Sequence, residues 1–525
     1  MFASGLMQKS AQRRLRVFLP AAMTMFVMFI AVQPVAADDQ GSAIPDHGRW
    51  VTSTVFSPDN SLLITGGGQS LQFRPGDIKL WDAKTGKLAG KLEGHDANIW
   101  SIALSPDGKK LVSGSYNGKV IVWDIDSRKP TATLDKQKSW VRSVAIAGDG
   151  QHFATAREDG NVTVWTIDGT KEVKTIKAHE AAVYCVTFSP DSQTLATAST
   201  DKTAKLWDWK GGTEKAKLEG HEDAVWSIVY SPDGSRIATA GADRKIILWD
   251  AAGARQANLY GHKDWVSCVA FSSDGKALAS SGLDWTVKLW NIDTAVQLAG
   301  AVEAAAKVVD DTRKAIAAGT DEAASAQTEA GGVKSKAEAV DAIVKSKQAA
   351  EALTAAQAAL DADKENKDLT KSRDDAKAAA DQATKAVDEK IKAFASDKPF
   401  TEQLNKLKGG ALDAAVAEKT KLDKQAEDLA AKAKTAEERK AAAEKSLEAA
   451  ITKRQELFDQ QSSTIGGYKS TVWTVAFSPN GELLATGSQR VGAETGTNTI
   501  RVWKVSDQTE LFPAPKAPEE KKSEE

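Results

Sequence analysis

What this chain has little of narrows its chemistry first. Two cysteines in 525 residues exclude a disulfide framework, a cysteine-rich zinc site and a haem-attachment motif. Histidine is scarce, at six, and tyrosine numbers only five. Neither sign of charge dominates: 69 basic and 71 acidic side chains leave a net charge of −2. That balance argues against binding through a global field, as to nucleic acid. After residue 37 no apolar run is long enough to cross a bilayer. Against this scarcity stand fifteen tryptophans. The excess needs a cause, and a repeat supplies it.

The first residues read as an address. Lys9, Arg13, Arg14 and Arg16 precede an apolar stretch from 17 to 32, and Val35, Ala36 and Ala37 offer a cleavage point before Asp38. Residues 1–37 therefore read as a bacterial secretory signal peptide. The expected destination is the periplasm or the exterior, with membrane attachment only through an uncleaved signal.

Tryptophans then recur at 81, 123, 165, 207, 249 and 290, at intervals of 42 or 41 residues, and Trp503 joins the set after an insertion. Aspartate follows most of them, as in Trp123-Asp124 and Trp249-Asp250. Gly-His pairs recur at Gly94-His95, Gly220-His221 and Gly261-His262, with variants at His47 and His179. Between the two lies a phrase such as Val225 to Gly234, whose Ser-Pro-Asp-Gly is a turn: proline fixes one dihedral and glycine permits the next. Short apolar runs flank it. Each unit reads as four antiparallel strands.

Period, Gly-His, turn and Trp-Asp together resemble the WD40 repeat family. The resemblance implies an all-β seven-bladed WD40-type propeller. Blades one to six are expected within 38–298 and blade seven at 468–512, with the seam strand from Thr509–Phe512 or from residues before His47. The family's structural tetrad of His, Ser/Thr, Asp and Trp carries over to His179, Thr197, Asp201 and Trp207, then to His221, Thr239, Asp243 and Trp249, then to His262, Ser280, Asp284 and Trp290. Blade two offers His95, Ser113 and Trp123, with Asn117 for the aspartate. Blade three lacks the histidine beside Thr155, Asp159 and Trp165. Blade one offers His47, Thr65 and Trp81, and blade seven has Tyr468 where the histidine would stand. Five of the six histidines are thereby structural. No catalytic set, metal site or cofactor motif remains. Gly66-Gly67-Gly68 is followed by no helix and is not a phosphate cradle.

A second domain is expected at 299–467. Residues 301–460 hold no Trp, Tyr, His or Cys and are rich in Ala, Lys, Glu and Asp, a mixture that favours helix. Breaks at Gly331-Gly332, near Pro399 and at Gly409-Gly410 suggest two arms, about 333 to 396 and 401 to 461, in a coiled-coil hairpin between blades six and seven. Residues 302–330 add a shorter helix or flap. The tail, 513–525, reads as disordered.

One aromatic flanks the leading aliphatic of every first strand: Trp50, Trp100, Trp140, Tyr184, Trp226, Trp265 and Trp473. The two offsets differ by two residues, which places them on one side of a strand. They are candidates for a binding ring at the channel mouth. The helical insertion, taken to follow the fourth strand of blade six, and the long loops Gly66 to Asp77 and Ser488 to Asn498 are expected on that same face. The functional expectation is a non-enzymatic scaffold of the bacterial envelope, binding a protein or peptide there. An envelope-assembly or ligand-binding propeller recognising a peptide or glycan is the alternative, and a propeller-fold hydrolase a lesser one.

Overall fold

A computed structural model describes residues 50–68, 74–135, 137, 139–489 and 499–512. The signal segment expected at 1–37, His47 and the tail 513–525 lie outside the described residues.

The repeats form antiparallel sheets, six of four strands and one of three, each in simple sequential order. Successive first strands pack beside one another, and the first strand of sheet one, Trp50–Phe56, lies beside that of sheet seven, Val472–Phe477. Position in the sheet dictates composition. Second strands are buried beyond their first residue and rich in small residues, and Thr194–Ser199, Thr-Leu-Ala-Thr-Ala-Ser, is buried along its whole length. Fourth strands face solvent and carry charge, as in Thr213–Leu218, Thr-Glu-Lys-Ala-Lys-Leu. Lysine on these outer strands discourages edge-to-edge pairing. Between sheets the contacts are apolar: Ala196, Ala198 and Leu206 of sheet four meet Val225, Ile228, Ile237 and Trp249 of sheet five.

The turns are built as the sequence reads. Ser231 Oγ donates to Asp233 Oδ1 (2.6 Å) and accepts from Arg236 N (2.9 Å), while Gly234 takes φ +71°. The hydroxyls of Ser231 and Ser235 hold the Asp233 carboxyl down at about 2.

A ladder of small polar residues ties the first strands together. Ile102 N donates to Ser53 Oγ, Val144 N to Ser101, Val186 N to Ser143 and Val269 N to Ser227, at 3.1 to 3.3 Å. Cys185 and Cys268 occupy the same rung, with Sγ 3.5 Å from Ile228 O and 3.9 Å from Val475 O. Thr54 and Thr474 hydroxyls meet at 3.2 Å. The cysteines thus stand in for serine. Burial pushes the Cys185 thiol up to about 11 and raises that of Cys268, which keeps both unreactive.

Sheet seven lacks a full fourth strand among the described residues. Residues 509–512 fold back instead: Lys504 N donates to Thr509 O and Leu511 N to Val502 O, both at 2.8 Å.

The expected boundaries of the insertion need correction. It lies between sheets six and seven at the resolution of whole repeats, but it begins at Ile292 and interrupts sheet six itself. The fourth strand of that sheet is Ser462–Ile465, which follows the helices and pairs with Val287–Asn291. Asn291 closes the third strand and caps the helix, its side chain accepting from Thr294 N at 2.9 Å.

Four helices follow: α1, Ile292–Ala362; α2, Lys367–Ala393; α3, Lys398–Gly409; and α4, Leu412–Gln461. The expected break at Gly331-Gly332 is absent, and α1 runs through it for 71 residues. The chain turns at 363–366 instead, where Asn366 caps α2. The short α3 and the α2 return replace the two equal arms. Residues buried in α1 recur every seventh position, at Val302, Val309 and Ala323 and at Gly319, Ala326, Val333 and Val340. Their partners in α4 include Ala415, Leu422, Leu429 and Ala436. Where α2 and α3 also pack, Phe400, Leu404 and Val387 complete a local core with Val340 and Ile343.

In a meander, the link after strand three emerges on the same side as the turn after strand one. Helix α1 therefore starts at the Ser-Pro-Asp-Gly end of sheet six, not after a fourth strand as expected, and runs along the outer strand of sheet five toward Tyr260, at the end where the aromatic positions lie. The root of the helices lies along that outer strand, Arg255–Leu259. Asp293 pairs with Arg236 (3.5 Å), Glu303 accepts from Asn258 Nδ2 (2.7 Å), and Phe458 stacks on Tyr260 (6.1 Å). The expected loop from Gly66 is also shorter, because Gly66, Gly67 and Gly68 pair with Ile78, Asp77 and Gly76. Gly67 is required there: a Cβ would sit 1.9 Å from the Trp50 carbonyl oxygen.

Candidate functional site: an aromatic rim

The rim begins with a backbone irregularity. In each first strand one residue is extra to the pairing. Val225 pairs with Gly241 and Ser227 with Ala240, leaving Trp226 bulged. Trp100, Tyr184 and Trp473 occupy the same slot in sheets two, four and seven. Thr52, Arg142 and Ser267 fill it where the aromatic comes earlier, at Trp50, Trp140 and Trp265. Simple alternation therefore does not relate the two offsets, because the bulge intervenes. What relates them is contact.

Trp50 stacks on Trp473 with centroids 5.6 Å apart, and Trp226 on Trp265 at 5.5 Å. Tyr184 meets Trp226 edge-on at 4.4 Å. Trp140 stacks on Tyr116 at 4.2 Å, and Tyr116 lies 6.3 Å from Trp100. Arg142 joins three rings: its guanidinium carbon is 4.7 Å from Trp100, 5.1 Å from Trp140 and 4.8 Å from Tyr184. Glu158 accepts from Arg142 Nε at 2.6 Å and fixes the guanidinium plane. An unbroken series thus runs Trp100, Tyr116, Trp140, Arg142, Tyr184, Trp226, Trp265. Trp50 is buried, at 4% exposure, and the other six expected residues are half-buried. The indole N–H groups of Trp100, Trp226 and Trp473 are buried without an acceptor. Burial raises the Tyr184 phenol, against the pull of Arg142.

Sequence reasoning missed Arg142, Tyr116 and Trp285. Arg142 had a signal, since it occupies the aromatic slot of sheet three. Trp285, 53% exposed, sits in the turn after the second strand of sheet six. It had a signal only as a tryptophan outside the repeat positions.

The tetrad residues come together in sheets four, five and six. His179 Nδ1 meets Asp201 at 2.8 Å and its Nε2 meets Thr197 at 2.7 Å, while Trp207 Nε1 donates to Thr197 at 3.0 Å. His221 meets Asp243 and Thr239, each at 2.9 Å, with Trp249 donating to Thr239 at 2.9 Å. His262 meets Asp284 at 3.0 Å and Ser280 at 2.7 Å, with Trp290 donating to Ser280 at 2.8 Å. Burial opposes the aspartate charge, yet bonds from histidine and threonine hold Asp201 and Asp284 down at about 2.

Incomplete tetrads show what each member contributes. Asn117 turns to Asp96 (2.7 Å), so His95 Nδ1 is buried without a partner. Burial, with Lys119 nearby, drives the His95 imidazole down to about 4. In sheet seven Tyr468 reaches further than histidine: Trp503 Nε1 donates to its hydroxyl (2.8 Å), which meets Thr486 at 2.9 Å. Among the described residues, no group of three or more His, Cys, Asp or Glu is placed to hold a metal ion. None of the described helices is long and apolar enough to cross a membrane.

Comparison with known proteins agrees with this geometry. A model of the WD domain, G-beta repeat, matches residues 40–82, 253–291 and 459–504. One for the second β-propeller of echinoderm microtubule-associated protein matches 99–258. WD repeat-containing protein 1 of Xenopus tropicalis is 40% identical over 73 residues, 13% of this chain and 11% of that protein. The U3 small nucleolar RNA-associated protein 15 homolog of Bos taurus is 33% identical over 86 residues, 16% of this chain and 15% of that protein. Apoptotic protease-activating factor 1 of Homo sapiens is 36% identical over 75 residues, 14% of this chain and 5% of that protein. The chain spans less than a sixth of the length of these relatives. It carries WD40 repeats, and its four-stranded sheets fit a WD40 propeller.

Proposed function

We propose that the chain is a non-enzymatic scaffold, a closed seven-bladed propeller that binds a protein partner on the aromatic rim. The observation that carries this reading is the half-buried series from Trp100 to Trp265. Aromatic and arginine side chains are the residues on which binding energy concentrates. Arg142 is held rigid by Glu158, so little conformational freedom is lost when a partner covers it. A glycan is the poorer occupant, because neighbouring rings already occupy a face of each tryptophan in the stacked pairs. Location in a bacterial envelope is part of the proposal and rests on Lys9, Arg13, Arg14 and Arg16 before the apolar 17–32. The helices act as a coiled-coil spacer for a second contact, rooted on sheet five.

The test is capture of a partner from envelope extract by the wild type and by Trp226→Ala and Trp473→Ala, each with its melting curve. Loss of capture by folded variants supports the rim. Undiminished capture by both, once folded, moves the site elsewhere. Cell fractionation with N-terminal sequencing tests export, with Asp38 expected first.

A further inference from the structure

The aromatic rim is interrupted beside sheet seven. Trp473 stacks on Trp50 and Trp265 on Trp226, but among the described residues no ring contact joins Trp473 to Trp265. Their strands are close all the same: Ser267 Oγ donates to Val472 O at 2.6 Å. Two half-buried indoles thus stand on adjacent first strands without touching. The Trp473 N–H is buried and lacks an acceptor. At the same end of sheet six, Trp285 is the most exposed large apolar side chain among the described residues.

The chain itself brings a segment to this place. After the third strand of sheet seven, Ile500–Lys504, residues 509–512 return antiparallel along its outer side. Trp503 is bridged to Glu510, and Leu511 N donates to Val502 O. This return runs toward the aromatic end, and Phe512 is anchored in the buried cluster that holds Ile500 and Val502. The next pairing, at Ile500, would call on the N–H of residue 513, which is proline and has none. Edge pairing therefore has no donor past Phe512. The sequence that follows is Pro513, Ala514, Pro515, Lys516, Ala517 and Pro518. Three prolines in six favour polyproline II, the conformation that aromatic-lined grooves take up. At about 3.1 Å per residue, six residues reach about 19 Å. The three strand spacings from the outer side of a sheet to its first strand amount to about 14 Å.

We infer that residues 513–518 dock as a polyproline II segment on the rim between Trp265 and Trp473, so that the chain covers the open end of its own binding face. Proline rings fill the groove between the two indoles, which needs no free ring face. The carbonyls of such a segment have no internal partners and offer the Trp473 N–H an acceptor. This rests on the rim reading and deepens it: a partner competes with the chain's own segment for the end of the rim at sheets six and seven.

The test is fluorescence anisotropy of a labelled synthetic peptide, residues 513–525, added to the full chain and to its P515A/P518A variant. Pro513 is kept so that the sheet edge is unchanged, and the two proteins are expected to melt alike. With a tethered segment at an effective concentration on the order of 1 mM and a peptide Kd of about 100 µM, the variant should bind the peptide about tenfold tighter than the wild type. Binding should be lost when the peptide carries the same two substitutions, a control that leaves the protein untouched. It should weaken about tenfold when Trp473→Ala or Trp265→Ala is added to the variant. An apolar docking should also hold as salt rises. No saturable binding to the variant, equal binding to variant and wild type, indifference to the peptide's prolines, or loss of binding in high salt overturns the inference. If capture of a partner nevertheless depends on Trp226, the rim reading stands and only the docked segment is lost.

Discussion

In the sheets the fully buried side chains include Trp81, Trp123, Trp209 and Trp290, and polar groups are bonded in networks between them. In α1 the buried side chains are valine, alanine, isoleucine and one glycine, with no polar network. A tryptophan with a bonded N–H fits one site in one orientation. An alanine at seven-residue spacing fits many registers nearly as well. The sheets thus specify their packing by shape and hydrogen bonding. The helices rely on periodicity, on caps at Asn291 and Asn366, and on the local core around Phe400.

All fifteen tryptophans lie outside the helices, so indole fluorescence reports the sheets and helical circular dichroism reports the insertion. The largest contrast comes from where the insertion is cut. Replacing 304–455 by a Gly/Ser linker keeps Ser462–Ile465 and should leave the fluorescence melt nearly unchanged. Replacing 299–467 also removes that strand and should lower the melting temperature by roughly 10 °C or more. Equal melts would show that the strand adds nothing.

Next in size is Trp123→Ala, which leaves Ser113 without its donor and should destabilise the sheets by about 3–5 kcal/mol. Val340→Ala should weaken only the helical signal, by about 0.5–3 kcal/mol. A shared transition in both variants would break the comparison, making the two regions one cooperative unit.

The third concerns pH. His95 is held neutral in the fold, at about 4, against about 6.5 unfolded. Below the unfolded value the unfolded chain binds the extra proton, so stability falls from pH 6.5 to about 4, by on the order of 3 kcal/mol. His95→Gln should flatten that interval in the fluorescence melts and leave the helical melts alone. The tetrad aspartates act lower: Asp201 and Asp284, held at about 2, lose their contribution as pH drops from about 4 to 2. An unchanged slope in His95→Gln would place the titration elsewhere.

The smallest change is a gain. A Cβ at Gly331 or Gly332 meets nothing within 4 Å. Each Gly→Ala exchange should therefore stabilise the helices by about 0.8–1 kcal/mol, measured by circular dichroism.

Much of the sheet region is legible in the sequence because each repeat carries its own turn and its own tryptophan. What misled was the end of sheet six. Thr294 to Leu298 follows Trp290 at the distance of a fourth strand, yet Asn291, Asp293 and the apolar 292, 295 and 302 already mark a helix start. Gly331-Gly332 reads as a break because propensity is local. The seam residues Val333 and Ala337 keep α1 continuous, and tertiary packing outweighs two glycines. The rim aromatics are visible one by one in the sequence. Arg142 stands in the same slot after Val141, but its contact with three rings is not legible, because it depends on side chains from neighbouring sheets.

The split of sheet six also sets a timetable. Val287–Asn291 is made before the helices, and its partner Ser462–Ile465 only after them. At about 5–20 residues per second the ribosome needs roughly 8–35 s for the intervening segment of about 170 residues. Through that interval the newborn third strand has an open edge in a chain whose first sheets are complete. Ile292, Ala295 and Val302, already emerging behind it and buried in the fold, are the first groups available to shelter that flank.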